Sequence, residues 1–266
     1  MNGTLIDTKC PSADQPLPQR YRTITRLAGM LALPLVWVFL TYVVGVSQRY
    51  LPAPDAVMSA VADLGGDFAI HSGITVFRVI TGFFVGSALG VVIGILLYRS
   101  RILHEFLNPS LQALRSVPPI ATIPFFLLWF GFSEWGKILL ITFGVSINLA
   151  IVAYQILQEK PDKYRYALHA LGLDDHHLPW GIALPLVMER LLPTLRFSLA
   201  VSLGLVITSE LLGSQYGLGY LIQASRSTFA IHVILLCTIV LGIVNAIADS
   251  QLVRLWGRLI FWRPRT

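Results

Sequence analysis

Four runs of about twenty residues carry no formal charge: residues 27–48, 79–98, 138–158 and 227–248. A hydrocarbon core about 30 Å thick is crossed by roughly 20 apolar residues in a helix, so each run is long enough to cross it. A soluble fold is excluded by the same fact seen from the charge side. Only 20 basic and 14 acidic residues occur in 266, or 13% charged, against roughly 25% in water-soluble domains.

Two further spans are weaker. Residues 116–133 are apolar but contain Pro118, Pro119 and Pro124, which remove backbone donors, so a short, irregular span is expected there. Residues 190–212 hold Arg190, Arg196 and Glu210 around an uncharged stretch, which suits a span facing the bundle interior rather than lipid. With Ile74–Phe77 and Arg78 added upstream of residue 79, the expected spans are 27–48, 74–98, 116–133, 138–158, 190–212 and 227–248. The first is longer than the 7–15 apolar residues of a signal peptide and lacks a clean cleavage site, so it reads as an uncleaved span. The fold class is therefore all-α and polytopic, with a mobile cytoplasmic tail over 1–20 and a transmembrane domain over 21–266. Residues 49–71, with Asp55, Asp63 and Asp67, read as an outer loop carrying a short interfacial helix.

Lys and Arg in the connecting segments set the orientation. With the N-terminus inside, sixteen fall on the inner side, Arg115 among them, and Arg49, Arg78, Lys137 and Arg226 fall outside or near outer ends. Both termini are thus expected in the cytoplasm. Net charge +6 reports this orientation rather than a polyanion groove, and nucleic acid is not an expected partner; membrane lipid is.

Soluble catalysis finds little support. Cys10 and Cys237 are too few and too differently placed for a disulfide framework or metal cage, and the side chains of His176 and His177 diverge. No metal site is expected. Ser209, Glu210 and Asp249 lack a histidine at useful spacing, and no G-x-x-x-x-G-K-[ST] phosphate loop occurs, so any ATP chemistry belongs to another polypeptide. A secondary transporter driven by an ion gradient is the alternative function. It calls for inverted repeats and paired broken helices with midplane carboxylates.

Two local patterns stand out. Gly82, Gly86, Gly90 and Gly94 recur every four residues, giving one helix face without side chains; it serves close packing, or a sliding hinge. In the inner loop 159–184, Pro161-Asp162 starts a helix, Ala167, Leu168, Ala170 and Leu171 form an apolar stripe, and Gly172 ends it in left-handed geometry. Such a stripe covers the membrane surface, the chain's own bundle or a partner.

From Leu51 to Trp256 the chain resembles the permease subunits of type I ABC importers, in the branch for sulfonates, taurine, nitrate and related small anions. The resemblance rests on Leu51-Pro52-Ala53-Pro54, Leu114-Arg115-Ser116-Val117-Pro118-Pro119 with Ile123-Pro124, and Trp129-Phe130-Gly131-Phe132-Ser133-Glu134 with Lys137-Ile138. It continues through Leu171-Gly172-Leu173, Leu184-Pro185, Ser209-Glu210-Leu211 and Gly217-Leu218-Gly219-Tyr220. Tyr166, Leu168 and His169 depart from the Glu, Ala and Arg usual in the family's coupling loop.

The resemblance implies a non-enzymatic subunit of a bacterial inner-membrane importer with the methionine-permease-like fold. It would pair with a second permease copy as a homodimer, with ATPase subunits that hold ATP and magnesium, and with a periplasmic or lipid-anchored substrate-binding protein. It needs no cofactor of its own. Tyr166, Ala167, Leu168, His169, Ala170, Leu171, Gly172, Leu173 and Pro185 would couple to the ATPase. The cargo would be a sulfonate, taurine, nitrate or bicarbonate-type anion. The cost of placing guanidinium groups near apolar spans then points to Arg78 and Arg196 in the translocation path, with Pro118, Pro119, Pro124 and Glu210. Ion pairing of the arginines with Glu210 or Asp249 is the other reading of the same cost.

Overall fold

The computed structural model describes residues 19–172 and 178–260, and every regular element among them is helical. Helix α1 is Gln19–Val38, continued by a π-helical turn Phe39–Val43; α2 is Pro54–Arg99 and α3 is Arg101–Ser116. A 3-10 turn Pro119–Thr122 leads into α4, Ile123–Phe130. Then follow α5 (Glu134–Gln158), α6 (Asp162–Ala170), α7 (Trp180–Gly213), α8 (Leu218–Ser227) and α9 (Ile231–Leu259). The expectations for the tail over 1–18, Cys10, Leu173, His176 and His177 lie outside the described residues.

Two compact units are formed, residues 1–56 and 57–266. In the first, the Trp37 indole N–H donates to the Pro52 carbonyl at 3.0 Å, and the Tyr42 hydroxyl donates to Asp55 at 2.7 Å. These bonds fasten the segment after the π-turn back to the helix.

Within the second unit each apolar run lies largely inside a helix that extends past one or both of its ends. Among the described residues four helices, α2, α5, α7 and α9, are long and apolar enough to cross a membrane, and α3 with residues 119–130, bent by 95°, make a fifth if counted together. The first unit adds a shorter apolar helical stretch, Leu31–Val43. The stretch read as an outer loop is helical from Pro54 onward, because Asp63 and Asp67 end an apolar run without opposing a helix. Its break falls at Gly65, whose φ of 53° and ψ of −133° a β-carbon would disfavour. The irregular third span is preceded by α3, a helix that its charged residues Arg101 and Glu105 hide from a search for apolar runs. Helix α5 starts with Ser133 as its cap, the hydroxyl accepting from the Gly136 N–H at 3.2 Å.

Packing of α2 on α5 explains the glycine series. A β-carbon on Gly86 would lie 2.8 Å from the Thr142 carbonyl oxygen; on Gly90, 2.7 Å from that of Ser146; on Gly94, 2.6 Å from that of Ala150. A β-carbon on Gly82 would come within 2.6 Å of Ile141 Cβ. Each step of four residues along α2 matches a step of four along α5, so the two helices run parallel with their backbones in direct contact. Ile141, Val145, Leu149 and Ala153 fill the seam and join the core formed with Leu191, Leu195, Leu199, Leu205 and Val206 of α7.

Candidate functional site: a charge clamp, a cavity at the helix bend and a short connecting helix

At one end of the bundle, Arg78 from α2 reaches two carboxylates. Its Nε and Nη2 donate to Glu134, at 2.6 and 2.5 Å, and Nη1 donates to Glu210 at 2.7 Å and to the Tyr216 carbonyl at 2.9 Å. Glu134 opens α5 and Glu210 stands in the last turn of α7, so a single guanidinium ties three helices together. Lys137 Nζ lies 3.4 Å from Glu134 and donates to the Ser214 hydroxyl at 2.9 Å. Two cations and two anions leave the cluster neutral, as its three buried members Arg78, Lys137 and Glu210 require, while Glu134 is half exposed. Around it, Thr75 donates to the Glu210 carboxylate at 3.0 Å and accepts from the Leu218 N–H at 2.9 Å, while the Gly219 N–H donates to Glu210 at 2.9 Å. His71 Nδ1 accepts from the Gly217 N–H at 3.0 Å, and its ring stacks on Tyr220. The start of α8 is thereby fixed to the carboxylate that Arg78 holds.

The geometry answers where the first path candidates lie. Arg78 and Glu210 are fully enclosed and bonded to each other. A guanidinium holding two carboxylates is occupied by them, so this pair is a clamp, which is the ion-pairing reading that the sequence left open beside a lining role. Arg196 forms a two-pronged pair with Asp249 at 2.6 and 2.7 Å, with half of its side chain exposed beside a cavity that Pro193 and Asn245 also line.

The bend between α3 and α4 opens a different space. A cavity of about 280 Å³ is lined by Arg115, Val117, Pro119, Phe143, Gly144, Ile147, Asn148 and Phe197, among others. A neighbouring one of about 570 Å³, walled by Thr122, Phe125, Phe126, Trp129 and Ser146, shares Leu114 and Phe143 with it. Of the three prolines, Pro119 lines the cavity; Pro118 and Pro124 flank it at the two ends of the 3-10 turn. Asn148 Nδ2 donates to the Ser198 hydroxyl of α7 at 3.2 Å. Arg115, counted among the inner residues, stands in the last turn of α3 and lines this cavity beside Gly144 and Asn148 of α5. Sequence reasoning passed over Asn148, whose signal is a lone carboxamide in an apolar run, and Thr75 and His71, which carry no signal until α8 is placed.

At the other end of α5 lies α6. Lys160 Nζ donates to the Tyr98 hydroxyl at 2.7 Å, Arg99 donates to the Leu178 carbonyl at 2.9 Å, and Leu168 is buried in the core. Tyr166, Ala167, His169, Ala170 and Leu171 face outward, Tyr166 with 72% and Leu171 with 73% of their surface exposed. The expected four-residue stripe is therefore split, since Leu168 points inward while Ala167 and Leu171, one turn apart, share the outer side. Gly172 has φ 68°, the left-handed geometry expected of it, and Pro185 lies half-buried early in α7.

Residues 86–259 match the family described as binding-protein-dependent transport system inner membrane component. The chain is 34% identical over 240 residues to a putative aliphatic sulfonates transport permease protein of Bacillus subtilis, covering 88% of this chain and 87% of that protein. It is 27% identical over 249 residues to the taurine transport system permease protein of Escherichia coli, covering 91% and 90%. Among solved structures, an inward-facing methionine ABC transporter chain superposes with a TM-score of 0.55 at 20% identity over 73% of this chain and 98% of that one, which supports the fold.

Proposed function

The chain belongs to the family of binding-protein-dependent transport system inner membrane components, and from that premise we propose that it conducts a small sulfonate-type anion inward, driven by ATP hydrolysis on a partner subunit. It is a multi-pass membrane permease of the sulfonate and taurine type, and not itself an enzyme. Two copies form the conduit, an external binding protein delivers the cargo, and both termini face the cytoplasm. The bacterial inner membrane is its location.

One observation carries the reading: α6, a nine-residue helix held between α5 and α7, with Tyr166 and Leu171 exposed and a left-handed glycine after it. An apolar pair on a short helix between two spans fits a groove on an ATPase in the helix-in-groove manner. Tyr166, Ala167, His169, Ala170, Leu171, Gly172, Leu173 and Pro185 form the contact region, and Leu168 anchors it from behind. The path follows the face where the 3-10 turn, α5 and α7 meet. Broken backbone at membrane depth is tolerated where it is buried in protein or lines water, and Pro119 with its neighbours meets that condition.

The test is reconstitution of the permease with its ATPase and binding protein in sealed vesicles. ATP-dependent uptake of taurine or an alkanesulfonate is expected, and Leu171→Asp abolishes it by expelling the helix from the ATPase. Uptake without ATP, driven by an imposed ion gradient, overturns the reading.

A further inference from the structure

Arg115 differs from the arginines that are held in place within the bundle, and from Arg226, Arg254 and Arg258, which also lack a partner among the described residues but stand near the C-terminal ends of α8 and α9. Arg78 and Arg196 hold carboxylates and Arg99 caps a carbonyl, whereas among the described residues Arg115 has neither an ion pair nor a hydrogen bond. It lines the cavity together with Gly144 and Asn148. Those two residues stand ten or more positions from either end of α5, Glu134–Gln158, which is roughly 15 Å from each end at 1.5 Å per residue. A lipid headgroup at that depth is beyond the reach of an arginine side chain, so snorkelling does not relieve the charge. Unlike Lys or His, a guanidinium cannot shed its proton to escape the cost. A fixed cation at mid-depth, exposed in the single chain and with no anion among the described residues beside it, calls for an anion or water from outside the chain.

The rest of the wall suits the same guest. Asn148 spends one amide N–H on Ser198 and keeps a second, since the group carries two donors. Val117, Pro119, Ile147 and Phe197 are apolar, and a space of about 280 Å³ admits a molecule of a few heavy atoms with its shell. We infer that Arg115, assisted by Asn148, forms a mid-membrane binding station for the oxyanion head of the transported molecule, with the apolar wall taking its short carbon chain. Tetrahedral sulfonate oxygens accept from two guanidinium N–H groups at once, the geometry that distinguishes Arg from Lys at such sites. The station deepens the transport reading above and rests on it.

The assembled transporter in vesicles provides the test, with uptake of taurine and of a short alkanesulfonate measured beside ATPase co-purification. Arg115→Gln should lower uptake at least about tenfold, the order of a lost charge-assisted hydrogen bond, while ATPase binding is kept. Arg115→Lys should fall between, because the charge remains and the two-pronged geometry is lost; Asn148→Leu should raise the KM for uptake with little change in the maximal rate. Uptake by Arg115→Gln within twofold of the unaltered protein overturns the station. Where Arg115→Gln does not assemble, an unchanged KM in both Arg115→Lys and Asn148→Leu overturns it equally. Absence of ATP-driven sulfonate uptake in the unaltered protein defeats the transport reading instead, so the two failures are told apart.

Discussion

Gly217 and Glu210 compete for the same space: a β-carbon on Gly217 would overlap the Glu210 carboxylate, and the backbone there has φ 118°. The carboxylate sits so close because it accepts from Gly219 and from Arg78 at once. Gly217→Ala is therefore expected to displace Glu210 from Arg78 and loosen the end of α8. Combined backbone strain of about 1–3 kcal/mol and the disturbed ion pair should lower the thermal midpoint of the purified permease. A midpoint equal to that of the unaltered protein would show that the turn relaxes without cost.

Arg78→Gln leaves Glu210 buried without its counter-ion. The expected loss is about 3–5 kcal/mol, the range for breaking one side of an enclosed pair. Adding Glu210→Gln should restore part of it, because Glu134 still has Lys137 at 3.4 Å and the remaining cluster is again neutral. Thermal unfolding of the two single variants and the double variant forms the cycle that measures this coupling. Additive losses would contradict a direct pair.

The α2–α5 seam predicts a position-specific penalty. Gly90→Val must push against the Ser146 carbonyl and Leu149, whereas Gly73→Val meets open space on the same helix. The first should cost about 1–3 kcal/mol as an overpacked contact, and the second only its small helix-propensity difference. Similar yields and midpoints for both variants would mean that the helices separate readily.

Gly172 offers a purely conformational test. Nothing lies within 4 Å of a β-carbon placed there, yet its φ is 68°, so Gly172→Val introduces strain without a clash. Hydrolysis by the partner ATPase should continue while uptake falls, which the ratio of transport to hydrolysis measures. An unchanged ratio would separate this turn from coupling.

Orientation yields a fourth kind of measurement. Reporter domains fused after Gly66 or Gln215 should be active on the outer side of the membrane and inactive within, following the Lys/Arg distribution. Activity confined to the cytoplasm reverses the assignment.

Much of the architecture was legible because lipid imposes a single dominant rule. The uncharged run 138–158 and the helix Glu134–Gln158 end at the same residue and begin four apart. The glycines announced a close seam by their spacing, although the identity of its partner helix did not follow. Helix α3 was hidden because its polar face breaks the apolar run, and the outer part of α2 because acidic residues interrupt hydropathy without interrupting a helix. The surroundings of Arg115 were illegible for a related reason: a charge count assigns residues by distance along the chain from apolar runs, and a 95° bend brings the end of α3 beside Gly144 and Asn148. Ion pairs to Glu210 and Asp249 were one of two readings the sequence left open, but the second carboxylate on Arg78, Glu134, was not legible, since the guanidinium meets partners 56 and 132 positions away.

The parallel seam has a mechanical meaning. Helix α5, about 37 Å long by its 25 residues, is pinned at one end by Arg78 and continues at the other into α6. A rod hinged at one tip and pushed at the opposite one is a lever, and points along it travel in proportion to their distance from the hinge. Whatever displaces α6 therefore shifts the walls at Gly144 and Asn148 by about half as much and the clamp hardly at all. A stroke of a few ångströms at α6 would alter the width of the cavity beside Gly144 and Asn148 while the end held by Arg78 stays in place.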